Sequence, residues 1–218
     1  MDYLLHALVT LFVTVDPVGL APMFMVLTAG FGPVARRQTA VRATATAAAV
    51  LVAFALIGEP LIGFLGISLA AFRIAGGLLL FVIAFEMVFE RRIERKTVTA
   101  EKASSYEDTR YVAIFPLAIP LTSGPGAISA TILLASQAGS IAAVLVLIAA
   151  IIAMIAACLV IFLLAGRIEH FLGETGRLVV SRLLGVILAA LAVQFVADGV
   201  HALAMAAPPG SSAAAPDR

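Results

Sequence analysis

Long apolar runs separated by short polar stretches organise the whole chain, and each run is long enough to cross a bilayer as a helix, which takes about 20 residues. They fall at Tyr3–Leu27, Ala43–Leu65, Ser68–Phe89, Tyr111–Ala135, Ile141–Ala165 and Leu183–Ala206, predicting six transmembrane helices. Two of the runs are interrupted. In the first, Phe12-Val13-Thr14-Val15-Asp16-Pro17-Val18-Gly19-Leu20-Ala21-Pro22 places a carboxylate and two prolines where a membrane helix should be continuous. Proline removes a backbone donor, clashes with the preceding turn and drives the residue before it out of helical dihedrals, so a break is expected at Asp16. The fourth run carries Ile119-Pro120-Leu121-Thr122-Ser123-Gly124-Pro125-Gly126-Ala127, with Pro125 lying 108 positions after Pro17.

Composition changes the picture from apolar helices to a membrane protein. With 62% hydrophobic and 12% charged residues, 218 residues carry more apolar surface than one soluble core can hide. The start, Met1-Asp2-Tyr3, has no basic region and no small-residue cleavage site, so the first run is expected to be a retained helix. The lone Cys158 lies in an apolar run and is expected to be a buried small hydrophobe. Residues 1–90 form a first three-helix unit, 91–110 a basic loop, 111–206 a second three-helix unit and 207–218 a flexible tail.

Charge sets the expected orientation. Arg36, Arg37 and Arg42 follow the first helix, Arg91, Arg92, Arg95, Lys96, Lys102 and Arg110 the third, and Arg167 and Arg177 the fifth, all on one side. The positive-inside rule then puts both termini outside, with Tyr3 and Tyr111 as interfacial anchors. The basic loop is a topology signal: its charges are few, mixed with Glu94, Glu101, Glu107 and Asp108, and lack an aromatic platform for nucleic acid.

The units match one another. Arg73-Ile-Ala-Gly76 follows the first break and Arg182-Leu-Leu-Gly185 the second, and Phe64-Leu65-Gly66 has its counterpart in Phe171-Leu172-Gly173. Three helices per unit is an odd number, so the second copy must enter the membrane from the opposite side. The expected fold is therefore all-α, two inverted three-helix repeats with broken first helices, an arrangement that recurs in secondary transporters with sites near the bilayer midplane.

The breaks suggest chemistry. Proline is favoured at the first helical position and Asp, Ser or Gly at the cap before it, as in Asp16-Pro17 and Gly124-Pro125. Two half-helices would then point N–H groups and positive dipole ends inward, ready for a carboxylate or other anion. Gly19, Gly124 and Gly126 would let a ligand approach the backbone. Asp16 is the candidate coupling or ammonium-binding carboxylate, since an ionisable group at membrane depth marks a pathway or proton relay. Thr122 and Ser123 offer donors to a substrate carboxylate, or equally satisfy carbonyls freed by Pro120 and Pro125. The bland alternative is that the prolines only kink two helices and Asp16 only caps one.

Taken together, Asp16 through Phe24, Phe64 through Gly77, Phe115 through Ile128 and Arg182 through Gly199 resemble the MarC family of bacterial inner-membrane proteins, over about Leu4 to Val200. The resemblance implies six membrane helices, a place among LysE-type transporters and proton-linked movement of small neutral amino acids such as alanine and glycine. Leu20 stands where many members carry Asn, and Ser123 where several carry another small residue. Both departures fall in the presumed site, so another small solute is the alternative substrate.

Two ion pairs are also expected, with antiparallel packing of the third and sixth helices joining Arg73 to Asp198 and Glu86 to Arg182; each side chain could instead snorkel to its interface. Gly76, Gly77 and Gly185 read as close helix packing. His6, His170 and His201 show no metal-ligand spacing, and no catalytic motif at membrane depth is present, so no metal, cofactor or enzymatic role is expected. The expected partners are a small neutral amino acid, protons or sodium, and membrane lipid.

Overall fold

The computed structural model describes residues 2–91 and 109–206. Most of the expected basic loop, and the tail over 207–218, lie outside the described residues. The elements are α1 (Asp2–Val15), α2 (Pro17–Leu27), α3 (Pro33–Phe64), α4 (Leu69–Val88), the short α5 (Thr109–Val112), an irregular coil over Ala113–Thr122, α6 (Pro125–Ser136), α7 (Ile141–Leu163) and α8 (Ala165–Ala206). Among the described residues there is no strand. Five spans are long and apolar enough to cross a membrane: Tyr3–Leu27, Pro33–Phe64, Leu69–Val88, Ile141–Leu163 and Thr175–Met205. A sixth forms if Thr109–Thr122 and Pro125–Ser136, bent by 59°, count as one.

Helix starts are written locally. Pro17, Pro33 and Pro125 stand at first helical positions, where the missing N–H has no intrahelical acceptor to lose. Ser68 and Ser140 cap α4 and α7 by accepting from Ala71 N and Ala143 N, each at 3.2 Å. These caps explain where hydropathy misplaced boundaries. α3 begins at Pro33 and not Ala43, carrying Arg36, Arg37 and Arg42 on a helix rather than a loop. Glu59 and Pro60 lie inside the same helix, near its end. α8 is interrupted at Gly173, whose φ of 59° suits a residue without a Cβ, and its membrane span starts at Thr175 rather than Leu183.

Packing rests on two centres. Leu11, Phe24, Leu51, Leu117, Ile151 and Phe162 belong to one buried cluster that joins α1, α2, α3, the irregular segment and α7. Leu80, Met87, Leu133, Leu188 and Phe195 belong to a second, joining α4, α6 and α8. α4 and α8 run antiparallel in intimate contact. A Cβ at Gly77 would lie 2.8 Å from Ala192 O, one at Gly185 3.1 Å from Ala84 O, and one at Gly199 2.9 Å from Ala70 O. Glycine is needed at these positions because the facing backbone occupies the space of a side chain. Cys158 is buried and in no disulfide among the described residues, a small side chain in the apolar setting its sequence predicted. Leu78, Phe81, Ile152 and Val193 are exposed on outer faces, the polarity expected of surfaces meeting hydrocarbon.

Candidate functional site

The first break is a single residue wide. Val15 ends α1, Asp16 takes left-handed dihedrals (φ 57°, ψ 63°), and Pro17 starts α2. Asp is one of the few residues other than glycine that tolerate this conformation. Its Oδ1 accepts from Gly19 N at 3.1 Å, and its own carbonyl accepts from Leu20 N at 3.1 Å. A carboxylate therefore caps the positive end of a half-helix inside an apolar span, and it is only 3% exposed.

The second break is longer than the sequence suggests. Phe115 (φ −129°, ψ 121°) and Ile119 (φ −126°, ψ 121°) both leave helical space before prolines, through cis peptide bonds to Pro116 and Pro120. Pro116 thus opens a break that sequence reading placed only further along. Gly124 then precedes α6, with Pro125 at its first position.

Thr122 Oγ1 donates to Leu117 O at 2.8 Å and Ser123 Oγ to Ala118 O at 2.9 Å, while Ser123 N donates to Ala118 O at 2.8 Å. Of the two roles open to these hydroxyls, the structure has them satisfying carbonyls disturbed by the prolines; their protons are committed inside the protein. The glycines are likewise filled from within. A Cβ at Gly19 would meet Asp16 Oδ2 at 2.3 Å, at Gly124 Pro120 O at 2.5 Å, and at Gly126 Ile83 Cδ1 at 2.3 Å. Their small size serves the fold's own close contacts, where the sequence offered them as ligand approaches.

Tyr3 Oη donates to Leu134 O at 2.8 Å, tying the start of α1 to the end of α6. From Tyr3, Asp16 lies about 20 Å along α1, and from Leu134, Pro125 lies about 14 Å along α6, at 1.5 Å per residue. α1 packs on α6, and α2 on the irregular segment. Asp16, Thr122 and Ser123 are all buried, an occluded arrangement.

The expected ion pairs are rearranged. Arg182 joins Glu90, one turn beyond Glu86, in a pair exposed to 57% and 34%. Asp198 accepts from Gln194 Nε2 at 2.7 Å, while Arg73 makes no ion pair among the described residues and its Nε is buried without a hydrogen bond. Arg73 still lies against the expected level of α8, since a Cβ at Gly199 would sit 3.1 Å from its Cβ. The glycines marked the close α4–α8 packing, and Glu90 lies one residue beyond the end of the third apolar run, outside the segment where the sequence pointed to a partner for Arg182.

Sequence reading also treated Arg36, Arg37 and Arg167 as separate topology charges. They line one cavity of about 470 Å³ with Phe24 and Phe162, whose rings stack at 4.8 Å. A second cavity, of about 630 Å³, is bordered by Glu59, Pro60, Leu69 and Ala138. Among the described residues no group of His, Cys, Asp and Glu could hold a metal ion.

Apolar spans on an all-helical frame, two of them broken at buried polar residues, define an integral, multi-pass membrane protein. A sequence model of the MarC family of integral membrane proteins matches residues 1–204, and the chain belongs to that family. It is 36% identical over 204 residues to a UPF0056 membrane protein of Methanocaldococcus jannaschii, covering 92% of this chain and 97% of the relative. The UPF0056 membrane protein YhcE of Escherichia coli is 33% identical over 193 residues, covering 88% and 89%. YvbG of Bacillus subtilis is 29% identical over 205 residues, covering 93% and 96%. No solved structure matches the chain.

Proposed function

We propose that the protein is a secondary transporter of a small neutral solute, with amino acids of alanine or glycine size as first candidates and protons as the coupling ion. It is a carrier and not an enzyme, and its place is among LysE-type transporters. The observation that carries this reading is Asp16. A buried carboxylate at a helix break within a membrane span is an expensive feature whose usual use is a pathway or relay. A solute ammonium suits Asp16, and a solute carboxylate suits the first-turn amides of α6, since the Thr122 and Ser123 protons are already engaged.

Alternating access is supported by features that match the two halves. Each has a span broken before a proline-initiated helix, the third helices pack antiparallel, and the glycines of both Phe-Leu-Gly motifs, Gly66 and Gly173, have positive φ of 73° and 59°. An inverted repeat with both breaks at the bilayer midplane is the arrangement this favours. The distribution of arginines favours insertion in a bacterial inner membrane with both termini outside.

Uptake of labelled alanine and glycine into proteoliposomes, with and without an imposed pH gradient, tests the proposal. Gradient-driven flux lost in Asp16→Asn is the expected result. A folded protein that moves neither solute overturns the amino acid assignment, leaving another small solute or a non-transporting membrane role.

A further inference from the structure

The cavity that gathers three arginines serves neither break. Phe24, Arg36 and Arg37 form one wall, from the end of α2 and the start of α3; Phe162, Leu164 and Arg167 form the other, from the end of α7 and the start of α8. All four elements change direction here, at span ends, where headgroups meet hydrocarbon. Among the described residues, none of the three guanidinium groups has an ion pair or a hydrogen bond. Arg36 instead lies over the Phe24 ring, 5.3 Å from its centroid. Three cations converging on one cavity without a carboxylate repel one another, and an anion relieves that repulsion. The first turn of α3 adds backbone donors, because Gly32 supplies no side-chain cap.

Guanidinium forks match phosphate oxygens in pairs, which favours phosphate over a simple halide. The rest of the lining is largely apolar, with Phe24, Phe162, Leu163 and Leu164 beside the three arginines. A cavity that sets cations beside apolar side chains at the ends of membrane spans suits a molecule that is anionic at one end and hydrocarbon at the other. The cavity at the opposite end provides the contrast. It carries Glu59 and no arginine or lysine. Glu59 stands 108 positions before Arg167, the separation that relates Pro17 to Pro125. The chain has opposite charges at corresponding places, so the basic character belongs to one membrane face.

We propose that this cavity binds a phosphate group, presented by the head of an anionic phospholipid. Basic pockets between membrane helices are a known form of lipid-head recognition. The test uses the purified full chain in neutral detergent, with ligand binding read by native mass spectrometry and thermal shift. Short-chain phosphatidylglycerol, short-chain phosphatidylcholine and inorganic phosphate are the probes. Wild type is compared with Arg36→Gln/Arg167→Gln, and with Arg91→Gln as an exposed arginine outside the cavity.

Each surface arginine strengthens binding to an anionic lipid roughly fivefold, so the double variant should bind phosphatidylglycerol roughly 25-fold more weakly. The control should change it less than about twofold, and phosphatidylcholine should bind wild type at least about tenfold more weakly than phosphatidylglycerol. Inorganic phosphate binding as tightly as phosphatidylglycerol would overturn the lipid as occupant and assign the cavity to soluble phosphate. Equal binding of the two lipids with no phosphate binding, or an equal loss in the control, would overturn the site altogether. If the double variant does not fold, the three-probe comparison on wild type and Arg37→Gln decides the same question. Proteoliposome transport does not enter this test, so it stands or falls apart from the carrier assignment.

Discussion

Asp16 combines two roles that substitution can separate: it holds a left-handed backbone and caps α2, and it supplies an ionisable carboxyl group. Asp16→Asn keeps an oxygen for Gly19 N and remains tolerant of φ 57°, so its stability should stay within about 0.5 kcal/mol of wild type. Asp16→Gly accepts the dihedral freely but loses the side-chain cap, for a net cost of roughly a few tenths of a kcal/mol. Asp16→Ala loses the cap, about 0.5–2 kcal/mol, and adds left-handed strain of about 1–2 kcal/mol. At about 2–4 °C per kcal/mol for a chain of this size, the alanine variant should melt roughly 3–16 °C below wild type in detergent. Gly19→Ala reaches the same cap from the other side, because its Cβ would lie 2.3 Å from Asp16 Oδ2. Asn and Gly should both melt close to wild type, and Ala clearly below them. If Asn is as damaging as Ala, the charge itself holds the fold and the separation of roles is refuted. If Ala melts with wild type, the capped break contributes nothing to stability.

The α4–α8 contact predicts a graded response to adding one methyl group. Gly77→Ala and Gly199→Ala each drive a Cβ into backbone and should cost about 1–3 kcal/mol in thermal unfolding, while Gly63→Ala, with nothing within 4 Å, should be neutral. Equal effects at Gly77 and Gly63 would contradict the close approach. Tyr3→Phe removes the bond to Leu134 O and should cost about 0.5–1.5 kcal/mol by the same measurement; Leu134 O keeps Gln137 N as a donor, so no carbonyl is stranded. A Cβ at Gly185 would lie 3.0 Å from Met87 Cβ, close to disulfide reach, so Met87→Cys/Gly185→Cys in a Cys158→Ser background should crosslink on oxidation. Gel mobility with and without reductant reads that outcome, and failure to crosslink would refute the register.

What the sequence revealed and what it hid divide along the range of the interactions. Both breaks were readable because proline acts on its own residue and the one before it. Asp16 was readable as a cap because capping spans three residues. The fate of the Thr122 and Ser123 hydroxyls was not, since both roles were open until the backbone around Pro116 and Pro120 fixed which carbonyls lay within reach. Arg182 was assigned Glu86 by counting residues along ideal helices. The actual partner follows from where Gly77, Gly185 and Gly199 seat α8 on α4, and that register shifts the contact by a turn. The arginine cavity needed Arg167 brought beside Arg36 and Arg37, more than a hundred residues away, and no local pattern encodes such a meeting.

These contacts also bear on which parts of the fold can move under the proposed transport cycle. α4 and α8 meet through glycines whose missing side chains are replaced by opposing backbone, so sliding one past the other would bring flanking side chains against that backbone. The broken spans are held differently. Their turns are closed by bonds within each break, Gly19 N to Asp16 and Thr122 to Leu117, which travel with the segment when it tilts. α1 is tied to α6 by one phenol-to-carbonyl bond at the far end, and such a bond contributes only about 1 kcal/mol. Under the proposed carrier reading the turns at the two breaks could therefore tilt without losing their own bonds, whereas the α4–α8 spine could not slide, and a solute or proton bound at Asp16 in one state and not the other would act on that tilt.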